Sequence, residues 1–141
     1  MKILLAACNA KYIHSNLAVY DLRAYASAYQ EHILLGEYTI NQTKDEILKD
    51  IYLSGADVVC FSCYIWNISF VRDLLEDLHK ILPDVKFWTG GPEVSFDAEA
   101  FLRRTPQVTG VMVGEGEKTF LELVRYYVDG VGTLSEIPGI A

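Results

Sequence analysis

Short apolar runs alternate along the chain with longer stretches in which apolar residues recur every three or four positions. The runs have the length of buried strands, and the stretches between them have the period of amphipathic helices. Several runs are apolar at consecutive positions, which is typical of parallel strands covered by helices on both faces. The predicted strands are residues 2–8, 32–40, 57–62, 85–89 and 110–113.

The helical stretches have recognisable starts and apolar faces. Thr43 and Glu46 form a capping-box pair at the start of one helix, and a last helix is predicted over residues 117–128. Strand and helix therefore alternate along the chain, and crossovers between parallel strands are right-handed. This pattern predicts an α/β fold: a flavodoxin-like (Rossmann-like), doubly wound sheet of five parallel strands in the order 2-1-3-4-5.

Composition narrows the class of protein. With 141 residues, of which 51% are hydrophobic, the chain is long enough for one domain with its own core. The net charge of −7 argues against a nucleic-acid surface, which needs basic side chains for the phosphates. No apolar run approaches the roughly 20 residues that cross a bilayer, and the first residues lack the features of a signal peptide. We expect a cytoplasmic domain that binds neither nucleic acid nor a membrane.

The cysteines and histidines give little sign of redox or metal chemistry. Cys60 and Cys63 have C-x-x-C spacing, but they lie at the end of an apolar run rather than at a helix N-terminus, where a thiol pKa is lowered. Residues three apart in a strand also point to opposite faces. With Cys8, they are expected to be reduced thiols. The histidines do not have the spacing of metal ligands: His14, His32 and His79.

Four unusual loops follow the carboxyl ends of predicted strands. Open parallel sheets bind ligands beyond these ends, near the point where the strand order reverses, so the loops mark the expected site. They are NAKYIHSN (residues 9–16) after strand 1, SCYIWN (62–67) after strand 3, GGPEVS (90–95) after strand 4 and GEGE (114–117) after strand 5.

The glycine pair after strand 4 is the most distinctive feature. Glycine has no Cβ to hold a ligand or a neighbouring backbone away, and it reaches positive φ at low cost, so Gly90 and Gly91 would allow a close approach. Pro92 would stiffen the exit, and Glu93 would add a polar group. A tight turn explains the same glycines without a ligand, and this loop alone leaves both interpretations open.

The loop after strand 5 argues against a phosphate ligand. Glu115 and Glu117 lie at a helix start, where carboxylates interact with the helix dipole and would repel a pyrophosphate. Neither GxGxxG after strand 1 nor GxxxxGK(S/T) is present. The aromatic residues Tyr12, Tyr64 and Trp66 suit a large flat ligand or a partner domain, although covering the end of the sheet would also account for them.

Together, the four loops resemble the N-terminal cobalamin-binding domain of B12-dependent radical S-adenosylmethionine proteins. The resemblance rests on NAKYIHSNLA, FSCYIWN, GGPEVS and VGEGEKTF, and it covers essentially the whole chain. It implies that Ser62 and the pair Gly90 and Gly91 line the slot for the nucleotide tail of cobalamin, with Tyr64 against the tail.

The resemblance also implies roles for the rest of this edge. The loop after strand 1 would cover the lower face of the corrin, and the loops after strands 4 and 5 would bond its amide side chains or a partner domain. The remaining cofactor-binding positions are Asn9, Tyr12, His14, Pro92, Glu93, Gly114 and Glu115.

The loop after strand 1 departs from the best-known cobalamin domains. Those domains carry D-x-H-x-x-G, in which the histidine ligates cobalt and the aspartate orients it. Here His14 has Tyr12 in place of the aspartate and Leu17 in place of the glycine. Proteins of the radical family often lack this histidine, and we expect non-ligating groups or water on the lower face.

The resemblance implies that catalysis belongs to another domain. The cysteines lack the C-x-x-x-C-x-x-C spacing that holds the iron–sulfur cluster of radical enzymes. Residues 1–130 would be the cobalamin domain, and residues 131–141 would start a linker to a C-terminal domain that holds the 4Fe-4S cluster and S-adenosylmethionine. Methyl transfer or related radical chemistry would then belong to the whole protein.

Three alternatives share the fold. A flavin or nucleotide binder needs a hydroxyl- and glycine-rich phosphate loop after strand 1, which NAKYIHSN does not provide. A signalling receiver needs acidic residues after strands 1 and 3 and a lysine after strand 5, where this chain has Asn9, Ser62 and Gly114. A docking module that has lost the cofactor is compatible with all of these residues and would differ in retaining no corrinoid.

Overall fold

The computed structural model describes residues 1–9, 17–39, 41–64, 67–95, 97–114 and 116–141, without the side chains of residues 17, 18, 92 and 93. Within these residues, five parallel strands form one sheet in the order β2-β1-β3-β4-β5. This order confirms the predicted flavodoxin-like sheet. The strands are β1 (Ile3–Asn9), β2 (Ile33–Thr39), β3 (Val58–Ser62), β4 (Lys86–Gly90) and β5 (Gly110–Met112).

Helices connect the strands, and their starts follow local sequence signals. The Thr43 hydroxyl accepts a hydrogen bond from the Glu46 N–H at 3.2 Å, which confirms the predicted N-cap. The helices are α1 (Leu17–Tyr25), α2 (Lys44–Ser54), α3 (Ile68–Ile81), α4 (Pro92–Ser95), α5 (Ala98–Arg104) and α6 (Glu117–Asp129), with 3₁₀ turns at Ser27–His32 and Leu134–Glu136.

Each face of the sheet has its own core because side chains alternate along a strand. Helices α2, α3, α4 and α5 contribute buried residues to the core on one face. Helices α1 and α6 cover the other face, which we call the α1/α6 face. Trp88 is fully buried there, and its indole N–H donates to the Tyr127 hydroxyl at 2.9 Å. Gly110, its neighbour on β5, makes room for the indole, since a Cβ would lie 2.5 Å from the ring.

The C-terminal residues lie along the outer edge of β5. Ile140 forms an antiparallel bridge with Met112, and the Ala141 N–H donates to the Val111 carbonyl at 2.9 Å. The Thr119 hydroxyl of α6 donates to the Pro138 carbonyl at 3.0 Å. These contacts hold residues 138–141 against the sheet. The predicted domain boundary at residue 130 stays a prediction. In the part of the chain that the structure describes, no helix has the length and apolar character needed to cross a membrane.

Candidate functional site

A cavity of about 310 Å³ opens at the carboxyl ends of the strands on the α1/α6 face. This volume is at the lower end of the range of small-molecule sites, about 300–1,000 Å³. The strand register aligns one residue from each of four neighbouring strands, Ala7, Ser62, Gly90 and Met112, and the last three line the cavity. Because the first three have very small side chains, the sheet is recessed here and leaves space between α1 and α6.

The cavity has an apolar floor and a polar mouth. The floor residues are at most 4% exposed and are Leu5, Val19, Cys60 and Met112. The mouth carries two carboxylates, Asp21 on α1 and Glu117 on α6, and the described lining includes no lysine or arginine. Such a lining suits an apolar group with hydroxyl or amide attachments better than a di- or triphosphate.

Neither the backbone conformation nor a close neighbour requires a glycine at residue 90. Its φ is not in the left-handed region, and a Cβ built on it would come no closer than 3.6 Å to Met112, which is ordinary van der Waals contact. By strand alternation this Cβ would point to the same face as the buried Trp88. A side chain at residue 90 would therefore stand in the cavity, and its absence is the feature that fits a ligand.

Gly91 has a different reason to be a glycine. Its φ is +107°, and a Cβ there would overlap the carbonyl oxygen of Cys63 and lie 3.0 Å from the Cys63 nitrogen. The Cys63 N–H donates to the Gly90 carbonyl at 2.7 Å, so the loops after β3 and β4 touch through their backbones. Gly91 thus lets the backbone approach, although it also lines the cavity.

Asn67 joins the ends of two strands beside the cavity. It is 1% exposed, and its amide nitrogen donates to the carbonyls of Cys8 at 3.0 Å and Ser62 at 3.1 Å. Its side-chain oxygen accepts from the Tyr64 N–H at 2.7 Å. One side chain thus ties β1, β3 and the loop that follows β3.

Replacing Asn67 with alanine is expected to reduce the free energy of unfolding by about 2–3 kcal/mol, because three hydrogen-bonding groups near the core lose their partner. Urea denaturation followed by circular dichroism measures the change. The control is Thr43→Ala, which removes an exposed helix cap and should cost about 1 kcal/mol. An Asn67→Ala loss no larger than that of the control would contradict this role.

Ser95 ties the loops after β4 and β5. Its hydroxyl donates to the Gly91 carbonyl at 2.8 Å and accepts from the Gly114 N–H at 3.2 Å. The GGPEVS segment is therefore bonded to the loop after β5 through its last residue. This link fixes one side of the cavity mouth.

The cysteines are buried, and the two with C-x-x-C spacing lie on opposite faces of the sheet. Cys60 belongs to the core on the α1/α6 face and Cys63 to the opposite core, which confirms that their side chains point to opposite faces. Cys60 lines the cavity, and burial raises the pKa of its thiol to about 12. It is therefore a neutral thiol at physiological pH and a poor metal ligand.

The structure places part of the predicted site around the cavity. Asn9 is buried at the end of β1. Tyr12, His14 and Glu115 lie outside the described residues, as do the side chains of Pro92 and Glu93. The predicted positions that line the cavity are Ser62, Tyr64, Gly90, Gly91 and Gly114.

Sequence reasoning missed the wall that α1 contributes. Val19, Asp21 and Leu22 line the cavity, and none of them belongs to a loop after a strand. The available signal was the spacing of Val19 and Leu22, which places both on one helix face. Asn67 belongs to the predicted SCYIWN loop but was not among the predicted site residues, and its side chain bonds the Cys8 and Ser62 carbonyls rather than capping α3.

A flavodoxin-like sheet with a cavity at this edge defines a ligand-binding α/β domain, and comparison with known proteins identifies which one. The model of the B12 binding domain family matches residues 3–124. This match spans most of the chain, and the chain belongs to the B12-binding domain family.

Two curated relatives are methyltransferases. The chain is 29% identical over 85 residues to the cobalamin-dependent radical SAM methyltransferase TokK of Streptomyces tokunonensis. It is 30% identical over 89 residues to the 2-(S-pantetheinyl)-carbapenam-3-carboxylate methyltransferase of Streptantibioticus cattleyicolor. These matches cover 60% and 63% of this chain but only 12% and 13% of the relatives, so the chain corresponds to a small part of much longer proteins.

A solved structure shows the same fold over nearly the whole chain. The apo form of OxsB, a cobalamin-dependent S-adenosylmethionine radical enzyme, matches with a TM-score of 0.75 at 20% identity. The match covers 99% of this chain and 20% of OxsB. The C-terminal residues along β5 are thus part of the shared architecture.

Proposed function

We propose that this chain binds cobalamin by inserting its nucleotide tail into the cavity between α1 and α6, and that it presents the corrin to a radical S-adenosylmethionine domain of the same protein. The observation that carries the proposal is the row of small side chains at Ala7, Ser62 and Gly90, the last two of which line the cavity, in a chain of the B12-binding family. A flat base needs a wall with few side chains, and this row supplies one.

Different residues of this chain would contact different parts of the tail. Leu5, Val19 and Met112 would contact the base and exclude water from it. The Ser62 hydroxyl, with Asp21 and Glu117, would serve the polar groups at the mouth, and Tyr64 would pack beside the tail. Bound cobalamin supplies a cobalt centre that can carry a methyl group.

The lower face of the corrin would be covered by the loop that follows β1. Asn9, Tyr12 and His14 are the proposed contacts, and we do not assign His14 as a cobalt ligand because Tyr12 replaces the aspartate that would orient it. Pro92, Glu93, Gly114 and Glu115 would contact the amide side chains or the partner domain.

The partner domain would hold the 4Fe-4S cluster and S-adenosylmethionine. We propose that it follows a linker that starts near residue 131, and that the whole protein transfers a methyl group or carries out related radical chemistry. Support comes from the relatives, which are methyltransferases several times longer than this chain. We also propose a cytoplasmic location, since Cys8, Cys60 and Cys63 are buried in the cores rather than arranged as a disulfide framework.

Cofactor retention tests this function. The purified chain is mixed with excess methylcobalamin and desalted, and the visible spectrum of the protein fraction is recorded. We expect about one corrin per chain, with bands that indicate the tail base displaced from cobalt, because the base would be held in the cavity. Flavin mononucleotide, treated in the same way, is expected to be removed by desalting.

The opposite result is equally informative. If neither this chain nor the whole natural protein retains a corrinoid, the cavity does not bind cobalamin, and a docking role without cofactor replaces this proposal. Retention with the tail base still on cobalt would place the tail outside the cavity.

A further inference from the structure

We propose that the cavity selects corrinoids by their lower base and takes dimethylbenzimidazole in preference to adenine. This inference rests on the proposed function, because it presupposes that the nucleotide tail enters the cavity between α1 and α6. It goes beyond that function because cobalamin and its adenine-containing analogue share the corrin, the cobalt and the linker, and differ in the base alone.

The floor of the cavity offers no strong hydrogen-bonding side chain. Leu5, Val19 and Met112 are apolar and nearly fully buried, and Cys60 adds only a weakly hydrogen-bonding thiol. The two methyl groups of dimethylbenzimidazole match such a surface, since burying apolar area is favourable.

In the part of the chain that the structure describes, the buried side chains around the floor also provide no unpaired hydrogen-bonding group for adenine. Among the described residues, the buried side-chain nitrogen and oxygen atoms without a hydrogen bond are Thr89 Oγ1 and Thr105 Oγ1, and neither residue lines the cavity. Thr89 alternates with Trp88 and so points to the opposite face. The indole N–H of Trp88, which belongs to the same core as the floor, is already donated to Tyr127.

Adenine would lose hydrogen bonds on entering this floor. Its exocyclic amine and ring nitrogens are bonded to water in solution, and a buried polar group without a partner is strongly disfavoured. The expected consequence is a dissociation constant about 10- to 100-fold higher for the adenine-containing corrinoid. Asp21 and Glu117 at the mouth would contact groups that both corrinoids share, so they do not discriminate between the bases. The Ser62 hydroxyl, beside Gly90 in the strand register, could bond one polar group of adenine and leaves the others without a partner.

Met112 is the residue best placed to set this preference. It lies beside Gly90 in the register of β4 and β5, lines the cavity and is 4% exposed. Glutamine has a similar length and carries both a donor and an acceptor. Met112→Gln should therefore improve adenine binding relative to dimethylbenzimidazole binding, whereas Met112→Leu keeps the floor apolar and should preserve the native preference.

The test measures dissociation constants by equilibrium dialysis of the purified full chain. The probes are cobalamin, its analogue with adenine as lower base, and cobinamide, which has no nucleotide tail. We expect the native chain to prefer cobalamin by about 10-fold or more. Met112→Gln should narrow the preference by at least about threefold, and Met112→Leu should leave it within about twofold.

The outcomes separate this inference from the function on which it rests. Equal affinity of the native chain for the two tailed corrinoids overturns base selection and leaves cobalamin binding intact. Cobinamide binding as tight as that of cobalamin, or no binding of any probe by either this chain or the whole natural protein, overturns tail insertion itself. If Met112→Gln folds, as judged by circular dichroism, but keeps the native ratio, Met112 does not contact the base. If this variant does not fold, the ratio in the native chain still decides.

Discussion

The substitution Gly90→Leu is expected to abolish cobalamin retention while the domain stays folded. A Cβ at this position meets no atom closer than 3.6 Å, so the first carbon of the side chain fits the existing backbone. The remaining carbons would extend into the cavity of about 310 Å³ and occupy the space assigned to the base. We expect affinity to fall by at least about 100-fold, equivalent to about 2.7 kcal/mol.

Two measurements on the same variant check this prediction. Corrin absorbance after desalting reports binding, and thermal unfolding followed by circular dichroism reports stability. Glycine is unfavourable inside a strand, and the leucine would cover an apolar floor, so the melting temperature should not fall by more than a few degrees. Gly90→Ala is the matched control, which adds one carbon and should keep most of the affinity. Full retention by Gly90→Leu would show that the tail does not lie over Gly90.

The strand order could be predicted because local patterns and a general rule sufficed. Apolar runs marked the strands, helical periods marked the connections, and right-handed crossovers left few ways to arrange them. The edge of the sheet that carries the site could also be predicted, because the carboxyl ends of parallel strands lie together. The rule predicts that Ser62, Tyr64 and Gly90 share one edge of the sheet, and in the structure all three line the cavity.

Residues 90–95 are predicted to form a loop, but the structure forms α4 from Pro92 and then α5. Both starts have ordinary signals: proline suits the first turn of a helix, and Asp97 accepts from the Ala100 N–H at 3.2 Å as an N-cap.

The roles of individual residues depended on contacts between distant segments. Nothing in the local sequence distinguishes Gly90 from Gly91, whereas the structure does so by the φ of +107° at Gly91 and by the position of the Cys63 backbone. The bonds of Asn67 to Cys8 and Ser62 likewise appear only after β1 and β3 are paired. Sequence patterns therefore predict where the site lies, whereas the role of each residue in the site can be assigned only from the three-dimensional structure.

The substitution Gly91→Ala is expected to destabilise the domain by about 3 kcal/mol or more. An alanine at a φ of +107° costs about 1–2 kcal/mol from the backbone alone. The Cβ would also overlap the Cys63 carbonyl oxygen, and relieving the overlap would separate the loops after β3 and β4 and weaken the hydrogen bond from the Cys63 N–H to the Gly90 carbonyl. A lost hydrogen bond adds about 1 kcal/mol, and the steric strain adds more.

Gly114→Ala is the matched control, because Gly114 also has a positive φ, +75°, but a Cβ there meets nothing within 4 Å. It should cost about 1–2 kcal/mol in urea denaturation, so the excess at Gly91 measures the contact with Cys63. Equal losses at the two positions would contradict that contact. A larger loss at Gly91 means that reduced cobalamin binding in a Gly91 variant reflects a displaced loop, and that Gly90, whose Cβ has both space and an ordinary φ, is the position at which binding can be tested without disturbing the fold.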